Sequence, residues 1–234
     1  MAAVRAKGLV RQVHEEIRKL MDSGAFPPGC SVSISDLARR FEISSTPVRE
    51  ALVRLAAEGR LAFHENIGYR IPDLPTAREY TDWAVARIAV EASALQYLSE
   101  PLDDSQLGVA DSINDEMRRT EWNSDSASVH RYSDLNRRFH AAIVSLARNP
   151  LLSDVQDRLY AGRHFANIFI GRGMPAVADV VAEHQQIVDA LRVGDTSGAA
   201  RQLRVHIVQS LERDARLTAA TPSLRRLIDG HAGG

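Results

Sequence analysis

The chain has 234 residues, of which 44% are hydrophobic and 25% are charged, with a formal net charge of -1. This composition is that of an ordinary globular protein and excludes a disordered chain. The single cysteine, Cys30, excludes an internal disulfide and suits a reducing compartment. No apolar run reaches the length of about 18 residues that a membrane span needs, and the first residues lack the apolar core of a signal peptide. We therefore expect a cytoplasmic protein with no membrane partner.

The charge is distributed unevenly along the chain. Residues 1–72 contain 11 Lys and Arg against 8 Asp and Glu, whereas residues 73–234 contain 18 against 22. The N-terminal part is therefore mildly basic and the remainder is acidic. The basic excess is modest, but it falls in the segment whose motifs predict contact with nucleic acid.

The N-terminal part combines helical periodicity with a short hairpin. Hydrophobic spacing predicts helices over Leu9–Ser23, over Ser35–Phe41 and from Pro47 to Gly59. For the third helix, Ser45 or Thr46 is a suitable N-cap, and Pro47 fits the first turn because its missing N–H costs nothing there. Two short strands follow, over Leu61–His64 and Tyr69–Ile71. This order predicts a winged helix-turn-helix.

Hydroxyl and guanidinium side chains occupy the N-terminal end of the third helix and the face opposite its apolar stripe. The free N–H groups and the dipole at that end favour phosphate, and a recognition helix enters the major groove by its N-terminus. The predicted DNA-binding residues are Arg40, Ser44, Ser45, Thr46, Arg49, Arg54 and, in the wing, Gly68. We rank Arg49 first among them. The alternative is a three-helix bundle whose arginines are merely solvated.

Three motifs in this part carry a family resemblance. They are Pro28-Gly29, Leu37-Ala38 and Ser44-Ser45-Thr46-Pro47-Val48-Arg49-Glu50-Ala51-Leu52. With them, residues 10–72 resemble the winged helix-turn-helix of the GntR family, which implies a transcriptional regulator. One residue departs from the family pattern: Ser45 stands where an arginine is common. That difference shortens one contact to a base or a phosphate.

The chain after residue 72 is predicted to be a separate helical domain. Two prolines within four residues, Pro72 and Pro75, break the pattern. We assign residues 1–72 to the DNA-binding domain, 73–79 to a linker, 80–220 to a domain for effector binding and dimerisation, and 221–234 to a flexible tail. About six helices without a convincing strand predict an antiparallel bundle, so the predicted fold class is mainly α.

Three predicted helices of the second domain each carry a histidine on an apolar face. They are His140, four residues after Asn136 on the same face, His184 and His206. A lone buried histidine is usually a hydrogen-bonded core residue. Imidazoles that converge from separate helices are instead the chemistry of a divalent metal site. We predict that Asn136, His140, His184 and His206 bind a metal ion, zinc first, with nickel or another divalent ion as the alternative.

Residues 80–217 also resemble the FCD ligand-binding domain of the FadR subfamily of GntR regulators. The pieces that match are Arg87-Ile88-Ala89-Val90-Glu91, Asn136-Arg137-Arg138-Phe139-His140, Asn149-Pro150-Leu151-Leu152, Glu183-His184 and His206. In metal-binding members of that subfamily an aspartate four residues before the first histidine joins three histidines. Asn136 occupies that position here. Its amide leaves the double positive charge of the ion uncompensated, so metal affinity should fall unless an anion completes the shell.

The resemblance also implies a pocket for a small carboxylate. In it, Arg87 would meet the effector carboxylate with its planar pair of donors, and Arg163 is a second effector-binding candidate. The alternative for Arg87 is a solvated helix ion pair with Glu91, four residues later.

We expect a metabolite-responsive repressor that binds a near-palindromic double-stranded operator as a homodimer and is released by a small carboxylate bound near the metal. One alternative is a regulator whose bundle holds no metal and serves chiefly for dimerisation. A metalloenzyme is the other, but no HExxH-type pairing supplies a base, and Glu183 lies on a different face of its helix from His184. We therefore predict no enzymatic activity.

Overall fold

The protein is described by a computed structural model that covers residues 2–58, 60–98, 102–160 and 173–218. The N-terminal part contains three helices and three strands. The helices are α1 (Ala2–Asp22), α2 (Ile34–Arg40) and α3 (Ser45–Ala57), and the strands are β1 (Ser31–Val32), β2 (Ala62–His64) and β3 (Gly68–Arg70). The predicted Arg163 and the predicted tail 221–234 lie outside the described residues.

The start of α3 differs from the prediction by two residues. The helix begins at Ser45, and Ser44 is the N-cap, whereas Ser45 or Thr46 was expected to cap a helix that starts at Pro47. Pro47 is tolerated as the third helical residue because the first four N–H groups of a helix have no partner within it. The Ser44 side chain makes no capping hydrogen bond, so the N–H groups at this end remain available for an anion.

The strands form a small antiparallel sheet in the order β1-β3-β2. The predicted wing strands are present as β2 and β3, with Phe63 opposite Tyr69. The strand β1 was not predicted, because two residues are too few to show an alternating pattern. It pairs Val32 with Tyr69 and so ties the wing to the chain that leads into α2.

A compact apolar core holds the helix-turn-helix together. Val48, Ala51, Leu52 and Leu55 of α3 are fully buried and pack against the fully buried Ile17 of α1. These positions recur every three or four residues, so they form the buried stripe that the sequence predicted. The opposite face of α3 is left to solvent.

The remaining described residues form a mainly helical second part. Its helices are α4 (Ala77–Arg87), a π-helical segment (Ile88–Ala92), α5 (Ser93–Gln96), α6 (Asp104–Arg119), α7 (Ser126–Ser145), α8 (Pro150–Tyr160), α9 (Val177–Arg192) and α10 (Thr196–Thr218). Because α4, the π segment and α5 are continuous, this agrees with the prediction of about six helices. Thr76 and Glu79 cap α4 reciprocally, so this helix begins within the predicted linker 73–79.

A single apolar core runs through these helices. It includes Leu107, Met117, Phe139, Ile143 and Ile187, which are all fully buried. Seven polar or charged residues are also buried in the described part of the chain: Arg87, Glu91, Asn114, His140, Gln156, His184 and His206. No helix in the described ranges is long and apolar enough to cross a membrane.

The core of the helix-turn-helix yields a stability prediction. We expect Leu52→Ala to lower the free energy of unfolding by about 2 to 5 kcal/mol, because it removes a fully buried side chain and leaves a cavity. The neighbouring Val53→Ala, at a position that is 53% exposed, should change it by less than about 0.5 kcal/mol. Chemical denaturation followed by circular dichroism measures both, and equal effects of the two substitutions would contradict this packing.

Candidate functional site

The residues predicted to contact DNA form an exposed surface around the N-terminus of α3. Ser44, Ser45, Thr46, Arg49 and Arg54 are all exposed. They follow the tight turn between α2 and α3, where Glu42 adopts a left-handed backbone with φ 56°. The structure therefore places the three hydroxyls at the N-terminal end of the recognition helix, Arg49 in its second turn and Arg54 in its last turn, all on the surface.

Arg40 and Gly68 extend this surface on either side. Arg40 is exposed in the last turn of α2, and Gly68 begins β3 directly after the wing turn with φ 90°, a conformation that suits glycine. Within the described part of the chain, Arg40, Arg49 and Arg54 have no ion-pair partner, whereas Arg39 pairs with Asp36 at 2.5 Å. Three cations without partners on one surface are suited to bind phosphate.

The three predicted histidines meet in the bundle core. His140 lies on α7, His184 on α9 and His206 on α10, and each is at most 1% exposed. Each offers a ring nitrogen, and these three nitrogens all lie within 4.8 Å of one another. Among the described residues, this is the cluster of potential metal ligands that the structure brings together.

His140 is held by an ion pair from the start of the bundle. The Arg87 Nε donates to Glu91 Oε1 at 2.8 Å, and both side chains are buried. Glu91 Oε2 lies 2.7 Å from His140 Nδ1, at a bent angle, and Arg87 Nη2 lies 3.0 Å from His140 Nε2. Since guanidinium is only a donor, His140 Nε2 accepts from it, and the ring proton resides on Nδ1, facing the carboxylate.

The π-helical segment explains this arrangement. Arg87 is the last residue of α4, and Glu91 lies in the π segment, so the wider turn directs both into the core. The guanidinium of Arg87 also lies 4.7 Å from the centre of the Trp83 ring and 5.2 Å from that of Tyr160. The alternative of a solvated Arg87–Glu91 pair is wrong, because both side chains are almost completely removed from solvent.

His206 is held by a second carboxylate from another helix. Its Nδ1 donates to Glu183 Oε2 at 2.7 Å. Glu183 is gripped by both terminal nitrogens of Arg213, at 2.6 Å and 2.8 Å. Sequence analysis placed Glu183 on a different face from His184, and the structure shows that this face meets α10. The contact was missed because it depends on the packing of α9 against α10, although Arg213 lies two turns after His206 on one helical face.

His184 completes the cluster and lacks hydrogen bonds. Its ring stacks on Phe139 with 3.7 Å between centroids and 4° between planes. Within the described residues neither His184 Nδ1 nor His184 Nε2 has a hydrogen-bond partner, and the same is true of Asn136 Oδ1, one turn before His140. Unpartnered buried polar atoms are costly, so these three atoms require a ligand or water.

Burial determines the charge state of the three imidazoles. It lowers the pKa of His140 to about 4, despite the opposing effect of the Glu91 carboxylate. Burial also lowers the pKa of His184 and of His206, the latter against the Glu183 carboxylate. Neutral imidazole with a free lone pair is the form that binds a metal ion.

The two carboxylates behave in the opposite sense. Burial alone would raise the pKa of Glu183, but its hydrogen bonds to His206 and Arg213 outweigh burial and hold this pKa at about 2. Arg87 and His140 likewise outweigh burial and hold the pKa of Glu91 well below its usual range. Both carboxylates are therefore ionised at neutral pH.

These contacts fit a cation at the centre of the cluster. With Nδ1 protonated in His140 and in His206, their Nε2 atoms are both acceptors and lie 3.2 Å apart, and the lone pair of His140 Nε2 is engaged by Arg87 Nη2. A metal ion bound at His140 Nε2 would displace Arg87 Nη2 from this lone pair. Three neutral imidazoles of this kind are a donor set for zinc or another transition metal.

The lowered histidine pKa values give a pH prediction. The pKa of His140 is about 4 in the folded state against 6.5 for a free histidine, so the unfolded state binds more protons between these values. The contribution of neutral His140 to the free energy of unfolding is complete above pH 6.5 and is lost as the pH falls towards 4. With chelator present, we expect the free energy of unfolding to fall over this range by at most about 1.4 kcal/mol per pH unit for each such histidine.

Denaturant titrations from about pH 7 to about pH 4 test this dependence. His140→Gln should flatten the profile, whereas His64→Gln, at an exposed wing position, should leave it unchanged. A His140→Gln profile as steep as that of the parent protein would show that this residue does not titrate as described.

Comparison with known proteins agrees with both halves of this description. Residues 9–71 match the family of bacterial regulatory proteins of the gntR family, and residues 82–209 match the FCD domain. The HTH-type transcriptional regulator YdhC of Bacillus subtilis is 24% identical over 202 residues, which cover 86% of this chain and 88% of YdhC. The HTH-type transcriptional repressor GlaR of Escherichia coli is 24% identical over 190 residues, covering 79% and 86%.

The fold is likewise found among solved structures. The structure of Escherichia coli McbR/YncC superimposes with a TM-score of 0.65 at 21% identity, covering 90% of this chain and 98% of that one. The matched FCD region alone, residues 82–209, spans more than half of the chain, and it follows the matched gntR region, residues 9–71. The chain therefore belongs to the GntR family of DNA-binding transcriptional regulators, in the FadR-like subfamily that carries an FCD domain, and is not an enzyme.

Proposed function

We propose that this protein is a homodimeric repressor that binds a near-palindromic operator and is released by a small carboxylate effector bound at a metal ion in the bundle. Because its target is chromosomal DNA, we place it in the cytoplasm. The observation that carries this proposal is the convergence of three buried imidazoles, one of them without any hydrogen bond among the described residues.

The DNA-binding half of the proposal rests on the exposed surface around α3. Ser44, Ser45 and Thr46 would contact phosphate or base edges at the helix N-terminus, and Arg49 and Arg54 would follow the groove. Arg40 and Gly68 would contact the backbone from α2 and from the wing. Two copies of such a surface, related by a twofold axis, require two operator half-sites in inverted orientation.

The metal half rests on the atoms that lack partners. The proposed ligands are the ring nitrogens of His140, His184 and His206, with Asn136 Oδ1 as a fourth donor. Zinc is the first choice, because imidazoles suit this ion, and it can expand from four to five ligands, so an effector oxygen could join the four protein donors. Such an ion would act as a Lewis acid that holds an anionic oxygen of the effector.

A charge argument supports an anionic effector. The described charged groups that contact these histidines are Glu91, Glu183 and Arg87, and each carboxylate is paired with a guanidinium, Arg87 or Arg213. The four charges cancel, so a divalent ion held by neutral ligands would leave a double positive charge in the core. A bound carboxylate would offset it, and Arg87, 3.0 Å from His140 Nε2, lies close enough to supply further donors. The role predicted for Arg163 stays a prediction.

Effector binding would act on DNA by favouring one arrangement of the two bundles over another. A ligand shifts such an equilibrium only by its difference in affinity for the two arrangements. The second candidate is a regulator whose bundle is metal-free and serves chiefly for dimerisation. The engagement of His140 by Glu91 and of His206 by Glu183 favours it, since these rings are partly satisfied within the protein.

We expect Arg49→Ala to weaken operator binding by about 1 to 3 kcal/mol, because an exposed guanidinium without an ion pair is removed from the recognition helix. Fluorescence anisotropy at several salt concentrations measures the loss and, if the contact is to phosphate, a smaller salt dependence. Arg201→Ala, an exposed position on α10, makes the same change in net charge and should have little effect. Unchanged affinity in a folded, dimeric Arg49→Ala protein would overturn this assignment.

Metal content tests the bundle. We expect about one divalent ion per chain in untagged protein by elemental mass spectrometry, and its loss in a His140→Ala/His184→Ala variant of equal helicity. His64→Ala, at an exposed position, should retain the ion. Absence of metal from the parent protein after incubation with zinc and with nickel would favour the dimerisation bundle. Given metal, small chelating carboxylates should release operator DNA from the parent protein and not from the double variant.

A further inference from the structure

We propose that Glu91 and Glu183 are positioning residues that fix the tautomers of His140 and His206. Glu183 accepts a hydrogen bond from His206 Nδ1, and Glu91 Oε2 lies 2.7 Å from His140 Nδ1 without forming a hydrogen bond of good geometry, so in both rings Nε2 is left as the acceptor. The two chains of contacts are Arg87–Glu91–His140 and Arg213–Glu183–His206. The effect on metal affinity rests on the proposed function, whereas the tautomers are a property of the protein without metal.

The two chains have the same chemical order and come from different helices. The Arg87 guanidinium, at the end of α4, holds Glu91 in the π segment, and Glu91 meets His140 of α7. Arg213 of α10 holds Glu183 of α9, which meets His206. In both chains the arginine, which can only donate hydrogen bonds, donates to the carboxylate. The carboxylate, which can only accept them, faces the histidine Nδ1. The arginine therefore fixes the carboxylate, and the carboxylate in turn determines which ring nitrogen of the histidine carries the proton.

This order leaves one choice for the ring proton. A neutral imidazole carries a single proton, and a carboxylate 2.7 Å from Nδ1 retains it on that atom. Nε2 is then an acceptor, as the 3.0 Å contact from Arg87 to His140 Nε2 independently requires. A carboxylate on the far side of a metal-binding imidazole typically contributes 10- to 100-fold to metal affinity.

Of the two chains, the one through Glu183 gives the cleaner test. Arg87 and Glu91 are 2% and 0% exposed, so loss of the Glu91 charge would strand a buried guanidinium and affect folding. Glu183 and Arg213 are 16% and 19% exposed, and solvent can reach the pair. Its approach to His206 also has good hydrogen-bond geometry, whereas that of Glu91 to His140 is bent.

Glu183→Gln should remove the negative charge and keep the hydrogen-bond order. Glu183 Oε2 accepts from both Arg213 Nη2 and His206 Nδ1, so an amide oxygen at that position can accept from both donors. We therefore expect the Nδ1–H tautomer of His206 to persist in this variant, while His206 Nε2 loses the basicity that the carboxylate confers.

The experiment has two measurements on the full chain. Long-range proton–nitrogen spectra of protein with 15N-labelled histidine, recorded with chelator, report the tautomers. We expect Nδ1–H for His140 and His206 in the parent protein and, for His206, in Glu183→Gln as well. Competition with a chromophoric chelator then measures Zn2+ affinity, which should fall roughly 10- to 100-fold in Glu183→Gln.

Asp179→Asn is the matched control. Asp179 is exposed one turn before Glu183 on α9 and lines the same cleft, but no contact joins it to His206 in the described structure. The Asp179→Asn substitution removes the same charge as Glu183→Gln and should change Zn2+ affinity by less than about fivefold. An equal loss of Zn2+ affinity in Asp179→Asn and Glu183→Gln would show that the loss comes from long-range electrostatics alone, which would overturn the proposal.

The tautomers separate this proposal from the proposed function. Nε2–H for His140 or His206 in the parent protein overturns the positioning roles without any variant. A parent protein with both Nδ1–H tautomers and no Zn2+ binding supports the positioning roles and refutes the metal function.

Discussion

The bundle depends on the burial of an ion pair, Arg87 with Glu91, at the point where its helices meet. A charge in such a core is costly by itself, and the pair is tolerable because both groups are also hydrogen-bonded or stacked. Glu91 accepts from Tyr160 and meets His140, while Arg87 lies over Trp83. The groups that stabilise the charge are thus the groups that shape the cluster, so a change in ligation there must be felt by the packing of α4, α7 and α8.

The two halves of the chain use arginine in opposite ways. In the described N-terminal part, Arg40, Arg49 and Arg54 have no ion pair and stand in solvent, where a phosphate can replace water at little cost. In the bundle, Arg87 and Arg213 are each engaged by a carboxylate. The net charge of the chain does not show this division, because the value of -1 is the sum of a basic DNA-binding part and an acidic bundle. The presence or absence of an ion-pair partner, rather than the number of charges, distinguishes an arginine that faces DNA from one that stabilises the fold.

Features of the fold that rest on local periodicity were predictable from the sequence. The buried stripe of α3 and the faces of His140, His184 and His206 each follow from spacing along one helix. Three features were not: the strand β1, the capping of α3 by Ser44, and the contact between Glu183 and His206. A two-residue strand exists only through its partner, three serine and threonine residues compete for one cap, and the Glu183 contact needs the relative position of two helices.

The π segment belongs to the same class, because the i, i+4 spacing of Arg87 and Glu91 is equally consistent with an exposed α-helical pair. Burial changes its meaning, and with it the meaning of Asn136. At an exposed site, an amide in place of a carboxylate would be a small loss of charge. In a core where the two carboxylates are already balanced by arginines, it leaves a metal without compensation, so an anionic effector would gain more from the metal than at a site with an aspartate. By linkage, that effector would strengthen metal binding by the same factor, and the two ligands would bind as a cooperative pair.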